Sequence, residues 1–380
     1  MAIDFTLTDE QELLVESVEE FIKNSEYGDE YFKKVYEEGL YPQEYLKEWF
    51  NSPLGTLGIP EEFGGTEMDA MTMAAVGIKI ASMDRPALTS IMTNMHSIAT
   101  YGNDKQKQAA VDAMHEGLMP ASLAMTEPQA GSDNSALQTS YEKKDGKYII
   151  NGHKCLITNA DHTNQIQVLA RDFSKQDKYS RTMTMFMVPA GTPGVKIVKQ
   201  NKIGCNHWSL CEVYLDNVEV DETCLFGQEY KGFYTMMKNF EIERLLLCCT
   251  ALGMSMVAYQ DALEYSKSRV CFGKTISEYQ LIQKKLVDSA LKIENMRNFI
   301  YKIAWMIDNN QPIRAESSMC KYYCVTCQNQ IVDDCLQIFG GIGYTSDARI
   351  SRLWRDARTN RIGGGTDEIL VYNAAKVLLS

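Results

Sequence analysis

Positive charge and histidine are both scarce in this sequence, and each shortage excludes a class of function. The 380 residues include 38 lysines and arginines against 50 aspartates and glutamates, which gives a net charge of -12 at pH 7. So acidic a surface is unsuited to nucleic acid, although an anionic small molecule needs only a local group of cations. No metal-ligand spacing relates the five histidines, which are His96, His115, His153, His162 and His207. The sequence therefore predicts neither a nucleic-acid surface nor a metal centre built from histidines.

A secretory leader, a membrane span and a disulfide framework are lacking as well. The N-terminal residues MAIDFTLTDEQ have no signal-peptide pattern, and no apolar run approaches membrane-spanning length. Eleven cysteines, an odd number, are scattered from Cys155 to Cys335. Cys324 and Cys327 form a CxxC one helical turn after Cys320, which leaves a metal or redox site as an alternative to buried free thiols. We therefore expect a cytoplasmic protein with reduced cysteines and no membrane partner.

What the sequence does contain is three segments of different texture, without internal repeats. The first has helical spacing of apolar residues, with a capping box predicted at Thr8 and Gln11 and a helix cap at Asn103. The second contains short β-rich runs, and Asn151–Gly152 between two of them has the sequence of a hairpin turn. The third returns to long segments of helical periodicity.

The order of these segments predicts the fold class. Because helices and strands do not alternate along the chain, we expect an α+β fold, mainly α, rather than a doubly wound sheet. We place an N-terminal helical domain, a central β-domain and a C-terminal four-helix bundle at residues 1–120, 121–230 and 231–380.

The stretch Ala124–Thr139, AMTEPQAGSDNSALQT, is a candidate binding loop. It contains the hydroxyls of Thr126 and Ser132, and Gly131 lets a ligand approach the backbone. Short hydroxyls and backbone N–H groups on a tight turn suit a large polar cofactor that carries phosphates and ring nitrogens. The same composition is typical of a plain surface turn. The interpretation as a cofactor loop therefore depends on other stretches of the chain.

Those stretches make the chain resemble the acyl-CoA dehydrogenase family. Five motifs occur in order: IPEEFGG at Ile59–Gly65, MTEPQAGSD at Met125–Asp133, KCLITNA at Lys154–Ala160, RVCFGKTISEYQ at Arg269–Gln280, and QIFGGIGYTSDARISRLWRDARTNRIGGGTDE at Gln337–Glu368. Chance does not account for five such strings in this order. Within the family, three strings are similar to the crotonobetainyl-CoA reductase branch: CKYYC at 320–324, RISRLWRD at 349–356 and the glycines at 363–365.

The resemblance implies an FAD cofactor and a homo-oligomer, usually a tetramer in this family. The flavin would lie between the β-domain and the C-terminal helices. Its isoalloxazine and pyrophosphate would be lined or covered by Met125, Thr126, Gly131, Ser132, Ile157 and Thr158. The pyrophosphate and adenosine of a flavin held mainly by a neighbouring subunit would be contacted by Arg269, Phe272, Tyr279, Gln280, Gln337, Gly340 and Gly341, and the site would be closed by Thr366 and Glu368. Arginine suits a pyrophosphate, and paired glycines admit a phosphate or ribose to the backbone.

The catalytic base implied by the resemblance is Glu243. The family reaction removes a proton from the carbon α to a thioester and a hydride from the β carbon, which requires a carboxylate beside the substrate. Many members carry that Glu before Gly-Thr in the last motif, where this chain has Gly364. Other members carry it on the first helix of the C-terminal domain, and FEIER at 240–244 places Glu243 there. Glu241 is the rival, but residues two apart on a helix lie on nearly opposite faces, so only one of them should face the substrate.

The resemblance also implies a substrate and an electron partner. An acyl-CoA or enoyl-CoA would be contacted by Ser132, Glu241, Arg244, Gly364 and Gly365. Electrons would pass to or from an electron-transfer flavoprotein, and the likeness to the reductase branch favours reduction of an enoyl-CoA. The alternatives are an acyl-CoA oxidase that uses oxygen and, because the common carboxylate is missing, a helical scaffold without catalytic activity.

Overall fold

The computed structural model describes residues 5–380 and has helices at both ends of the chain with a β-sheet between them, which confirms the predicted fold class. The helices are α1 (Asp9–Asn24), α2 (Asp29–Glu38), α3 (Gln43–Phe50), α4 (Ala70–Ser82), α5 (Ala87–Tyr101), α6 (Asp104–His115), α7 (Gly232–Ser268), α8 (Gln280–Asp308), α9 (Arg314–Phe339), α10 (Arg349–Asn360) and α11 (Asp367–Leu378). The strands are β1 (Ser122–Ala124), β2 (Ser140–Lys144), β3 (Lys147–Thr158), β4 (Gln165–Arg171), β5 (Met183–Pro189), β6 (Val195–Gln200), β7 (Leu210–Val220), β8 (Val270–Cys271) and β9 (Lys274–Thr275).

The chain divides into two compact units. The sheet unit comprises residues 25–67 and 90–240, and the helical unit comprises residues up to 24, 68–89 and 241–380. Both predicted helix starts are confirmed. Thr8 and Gln11 exchange backbone-to-side-chain hydrogen bonds of 3.0 and 3.2 Å, and Asn103 forms a capping box with Gln106.

The sheet of the first unit has the strand order β1-β4-β2-β3-β7-β6, with β5 paired to β4. Alternate residues of β3 point to the same face and pack into an apolar core with residues of the neighbouring strands, among them Tyr148, Ile150, Val168, Phe186 and Val213. β3 is the longest strand of the sheet, at 12 residues, and it ends at Thr158. β3, which contributes to the core, therefore ends with Ile157 and Thr158, two of the residues that the resemblance assigns to the flavin.

The hairpin turn predicted at Asn151–Gly152 is wrong, because β3 runs through both residues. The hairpin of β2 and β3 is closed instead by Asp145 and Gly146, whose φ angles of 50° and 78° suit a tight two-residue turn. Gly152 lies at a shift in the β3–β7 register, and a Cβ there would be 2.3 Å from Thr139 Oγ1. This glycine therefore serves a bulge and close packing rather than a turn.

In the helical unit, residues of α7, α8 and α9 share one apolar core, and α10 and α11 both contact α9. The core includes fully buried side chains from each of the three long helices, such as Leu252, Met296, Ile300, Val325 and Ile331. α9 is in contact with α8, α10 and α11. The end of the last motif, in α10 and the start of α11, therefore packs against α9.

By length and composition, α7 could cross a membrane, which the sequence had not led us to expect. Its most apolar window is 72% buried within the protein. A core helix is apolar around its whole circumference, so burial accounts for the composition of α7.

Candidate active site

Glu243 lies beside the position that a side chain at residue 364 would occupy. Gly364 is in the turn between α10 and α11 and has a φ of 66°, a backbone conformation that favours glycine. A Cβ at this residue would be 3.5 Å from Glu243 Oε1 and 2.5 Å from Leu247 Cδ1. The three atoms nearest to that Cβ position belong to Leu247, Glu243 and Lys321, and none belongs to Glu241. The residue that lacks the common carboxylate is therefore next to the alternative carboxylate.

Two cationic side chains hold the carbonyl groups of this glycine turn. Lys321 Nζ donates hydrogen bonds to Gly363 O at 2.7 Å and to Gly365 O at 2.6 Å. Arg244 Nε is 3.4 Å from Gly364 O, a long hydrogen bond. All three carbonyl oxygens of the turn thus accept from buried cations, which fixes the orientation of the peptide groups around Gly364.

An ion pair closes the ends of the same turn. Arg361 Nε and Nη2 lie 2.7 and 2.6 Å from Asp367 Oδ2. Thr366 caps α11, because its hydroxyl accepts from Ile369 N at 3.4 Å. The turn is therefore tied to helix α11 as well as to α7 and α9.

The electrostatic environment of Glu243 suits a group that exchanges protons near neutral pH. Its side chain is partly buried, and burial raises the pKa of Glu243 from 4.5 to about 7, while Arg244 and Lys321 act in the opposite direction. A general base is most effective when its pKa lies near the working pH. Glu243 can therefore both remove and return a proton under physiological conditions.

Next to this region, α7 and α9 contribute a group of three buried thiols. Cys320 Sγ is 3.8 Å from Cys248 Sγ and 3.9 Å from Cys324 Sγ. All eleven cysteines are free. The two cysteines of the CxxC are not neighbours in this cluster. Cys324 lies with Cys320 and Cys248, whereas Cys327 is outside the cluster.

In the sheet unit, a buried ion pair braces the candidate cofactor loop. Lys154 Nζ donates to Glu127 Oε1 at 2.9 Å and to Met125 O at 3.0 Å, and both charged side chains are almost fully buried. The Glu127 carboxylate also accepts from the backbone N–H groups of Gln138 and Thr139, at 2.7 and 2.9 Å. Burial raises the pKa of Glu127, but Lys154 and these hydrogen bonds outweigh it and lower the net value below the ordinary range. The two ends of the loop are thereby joined through one carboxylate.

The structure joins the start of the candidate cofactor loop to the end of β3, where two other predicted flavin residues lie. Cys155 N donates to Thr126 O at 2.9 Å, which ties the start of the loop to the end of β3. Ile157 is buried, whereas Gly131 and Ser132 are exposed at the tip of the loop. Between Cys155 and Ile157, Leu156 has a φ of 59° and is 55% exposed.

In the helical unit, the remaining predicted flavin residues lie in three places: after the end of α7, at the end of α9 and at the start of α11. Arg269 and Phe272 belong to the β8–β9 hairpin and its approach, where Phe272 is 98% exposed and the Tyr279 hydroxyl donates to Cys271 O. Tyr265 and Phe339 stack at 4.5 Å, which joins this end of α7 to the end of α9. Near those two helix ends the exposed residues are Gln280, Gln337, Gly340 and Gly341. Thr366, partly exposed, caps α11, and the exposed Glu368 lies in the first turn of that helix. The cofactor roles of these residues stay predictions.

The residues present fit an FAD molecule. A Cβ added at Gly131, Gly340 or Gly341 would meet no heavy atom within 4 Å, so a ligand can approach the backbone at all three. Exposed or partly exposed hydroxyls at Thr126, Ser132 and Thr158, and the exposed guanidinium of Arg269, are suitable partners for phosphate and ring heteroatoms.

Three buried charged residues had no role assigned from the sequence, although each lies in a motif or string that was singled out. They are Glu127 in MTEPQAGSD, Lys154 in KCLITNA and Lys321 in CKYYC. A lysine within an apolar helical stripe is a usable signal, since Lys321 is followed at helical spacing by the buried residues Cys324 and Val325. Partners such as backbone carbonyls, however, cannot be identified from the pattern.

Comparison with known proteins shows the same family along the whole chain. The models of the acyl-CoA dehydrogenase N-terminal, middle and C-terminal domains match residues 8–117, 122–218 and 230–379. The probable acyl-CoA dehydrogenase YdiO of Escherichia coli K12 is 42% identical over 381 residues, which cover 99% of this chain and 98% of YdiO.

Two solved structures are similar over nearly the full length. Butyryl-CoA dehydrogenase from Megasphaera elsdenii is 29% identical with a TM-score of 0.90, over 99% of this chain and 100% of that one. A chain solved in work on the electron transferring flavoprotein of Acidaminococcus fermentans is 28% identical with a TM-score of 0.91, over 99% of both chains. The family expected from the five motifs is confirmed: the chain belongs to the acyl-CoA dehydrogenase family, whose members are FAD-dependent oxidoreductases.

Proposed function

We propose that this protein exchanges hydrogen across the α,β carbon–carbon bond of a CoA thioester, with Glu243 as the catalytic base. One observation carries the assignment of the base. Glu243 Oε1 is 3.5 Å from the Cβ position of Gly364, the residue where many relatives have their catalytic carboxylate. A carboxylate reaching this position from α7 can replace one that would start from the glycine turn.

Glu243 removes the α proton in the oxidative direction and returns it in the reductive direction. When bound, FAD supplies the acceptor or donor of the hydride at the β carbon. We assign the backbone N–H of Gly364 to the thioester carbonyl, where charge develops as the α proton leaves; the N–H of Gly363 already donates to Thr359 O at 2.9 Å. Since the carbonyl groups of the turn are engaged by Lys321 and Arg244, the N–H of Gly364 is presented without rearrangement.

The comparisons support an electron-transfer flavoprotein as the redox partner, because one structurally similar chain was solved in work on such a protein. The likeness of CKYYC, RISRLWRD and the glycine run to crotonobetainyl-CoA reductases supports reduction of an enoyl-CoA as the physiological direction. The similarity to butyryl-CoA dehydrogenase makes four-carbon thioesters the first substrates to test.

The test is anaerobic bleaching of the purified yellow protein by saturated acyl-CoAs, beginning with butyryl-CoA, and reoxidation of the bleached protein by crotonyl-CoA. We expect E243Q to keep its flavin and to lose bleaching by on the order of 100-fold or more, since a general base contributes about 10²–10⁴-fold. E241Q changes the rival carboxylate on the same helix and should retain bleaching at saturating acyl-CoA, even if its contact with the substrate is weakened. Normal bleaching in flavin-loaded E243Q contradicts the assignment of the base.

The second candidate is an oxidase, favoured by one comparison. The prolyl acyl carrier protein oxidase AnaB is 28% identical with a TM-score of 0.88. An oxidase produces peroxide in air at the rate of substrate consumption, whereas a dehydrogenase reduces an artificial dye and makes little peroxide. A scaffold without catalytic activity predicts a flavin that no CoA ester bleaches, or no flavin at all.

A further inference from the structure

Lys321 is an unusual lysine, because its side chain is fully buried in the helical unit. Its relative exposure is 0%, on the inner side of α9. A buried ammonium is costly unless its donors are satisfied. Lys321 Nζ satisfies two of its three donors with backbone carbonyls, Gly363 O at 2.7 Å and Gly365 O at 2.6 Å. Neither carbonyl is charged, so this lysine is not explained as one half of a simple ion pair.

The two carbonyls that Lys321 binds are on either side of Gly364. They belong to the residues immediately before and after it: Gly363 O is part of the peptide group that carries the Gly364 N–H, and Gly365 O is part of the peptide group that carries the Thr366 N–H. The ammonium therefore holds the turn on both sides of Gly364, while Arg244 contacts the carbonyl between them. Gly364 and Gly365 have φ angles of 66° and 106°, which glycine adopts without strain but as one of many accessible conformations, so contacts are needed to hold this turn in a single one. Lys321 Cε is also 3.9 Å from the Cβ position of Gly364, which is 3.5 Å from Glu243 Oε1. Lys321, the glycine turn and the carboxylate of Glu243 are therefore neighbours in one site.

We propose that Lys321 is a positioning residue for the reaction: its ammonium fixes the glycine turn that presents the Gly364 N–H to the thioester, and its charge favours the carboxylate form of Glu243. This inference rests on the proposed function of Glu243. It assigns to one buried side chain two effects that act on the same step, the orientation of the donor and the ionisation of the base.

The charges around Lys321 determine how the ionisation of this site depends on pH. Burial lowers the pKa of Lys321 to about 8, against the opposing effects of Cys248, Asp367 and Glu243, while Arg244 lowers it further. Glu243 has a pKa of about 7, which is raised by burial and lowered by Arg244 and Lys321. With Lys321 protonated, the carboxylate of Glu243 is favoured; once the ammonium is removed, ionisation of Glu243 requires a higher pH.

A purely structural role for Lys321 makes different predictions. Loss of a buried hydrogen-bonding lysine would lower stability and overall activity, but it would leave the pH at which the base ionises unchanged. Lys285 provides the matched control, since it forms an ion pair with Asp334 between α8 and α9 of the same unit and lies away from the glycine turn. K285M removes one ammonium from the same helices without touching Gly363–Gly365.

The experiment compares wild type, K321M, K321R and K285M as flavin-loaded proteins. The rate of anaerobic bleaching by butyryl-CoA is measured from pH 6 to pH 9. In K321M we expect the limiting rate to fall by on the order of 10-fold or more and the midpoint of the rising limb to move up by about one pH unit. K321R keeps the positive charge and should keep the wild-type midpoint even if its rate is reduced, and K285M should match wild type in both. An unchanged midpoint in K321M, or the same shift in K321R, overturns the inference.

Hydrogen exchange of the backbone provides a readout that does not depend on turnover. We expect the peptide that contains residues 361–369 to exchange faster in K321M than in wild type and K285M, because its carbonyl groups lose their donor. If wild type is not bleached by butyryl-CoA or by longer acyl-CoAs, the proposed function fails, while the exchange result still tests the role of Lys321 in the turn. Equal exchange in K321M and wild type contradicts that role. If K321M does not fold, K321R is measured in its place, and a midpoint in K321R that differs from that of wild type overturns the inference.

Discussion

Replacing Glu243 by glutamine should make the protein more stable while removing its activity, and the stabilisation should depend on pH. The reason is that the folded protein disfavours the charged form of this carboxyl. Burial raises the pKa of Glu243 from its ordinary 4.5 to about 7. Glutamine has nearly the same shape and never ionises, so E243Q removes the electrostatic cost and keeps the packing.

The magnitude follows from linkage between ionisation and folding. Below pH 4.5 the carboxyl is protonated in both the folded and the unfolded chain, so the pKa difference costs no stability. As the pH rises from 4.5 to about 7, the unfolded chain ionises first and the folded state loses stability; above pH 7 the loss is constant. At ~1.4 kcal/mol per pH unit, the difference between 4.5 and about 7 corresponds to roughly 3 kcal/mol at pH 8.5, and to less than about 1 kcal/mol at pH 5.

The assay is thermal unfolding of the flavin-loaded proteins followed by circular dichroism at pH 5 and pH 8.5. We expect the Tm of E243Q to exceed that of wild type by several degrees at pH 8.5 and by much less at pH 5. E264Q is the matched control, because Glu264 is an exposed carboxylate on the same helix, and it should change Tm little at either pH. A difference between E243Q and wild type that is the same at both pH values would refute the reasoning, because it would show that burial does not oppose the charge of Glu243.

Two further substitutions test the parts that surround the base. G364A should lose about 1–3 kcal/mol of stability and most of the turnover, since the φ of Gly364 is 66° and the new Cβ would lie 2.5 Å from Leu247 Cδ1. The control is G363A, which should be tolerated because its Cβ would be 3.8 Å from its nearest contact. Equal losses of stability in the two variants would contradict the assigned packing. K154M should lose about 3–5 kcal/mol of stability and much of its bound flavin, because Glu127 is left as an uncompensated buried charge. The control is K147M, which breaks only an exposed ion pair with Glu219 and should change stability by less than about 1 kcal/mol. Normal flavin content in K154M would show that the Lys154–Glu127 pair does not organise the loop.

The fold class could be predicted because the texture of the sequence changes twice, from helical to strand periodicity and back. Local turn chemistry was less informative. Asn151–Gly152 and Asp145–Gly146 are both favourable hairpin sequences. The choice between them depends on the pairing of β3 with β7 and on the packing of Thr139 against Gly152. Both are contacts of the folded chain that the turn sequences do not reveal.

The candidate base could be predicted from two motifs taken together, since the missing carboxylate at Gly364 directed attention to Glu243. The supporting cations could not. The apolar helical stripe around Lys321 indicates burial, but a single sequence does not identify the groups that the fully buried Lys154 and Lys321 bind, because these are backbone carbonyls and a carboxylate brought near by folding. Burial, which also determines the proton affinity of Glu243, is a property of the packed helices rather than of the residues that carry the motif.

The most direct test of Glu243 as the base is exchange of the α hydrogens of 3-thiabutyryl-CoA in D2O, followed by proton NMR. In this compound sulfur replaces the β carbon, so the measurement reports removal of the α proton without transfer of a hydride. We predict that wild type and E241Q exchange these hydrogens with a rate that rises through about pH 7, and that flavin-loaded E243Q exchanges them on the order of 100-fold more slowly or not at all. Exchange by E243Q at the wild-type rate, or its loss in E241Q instead, would contradict the assignment.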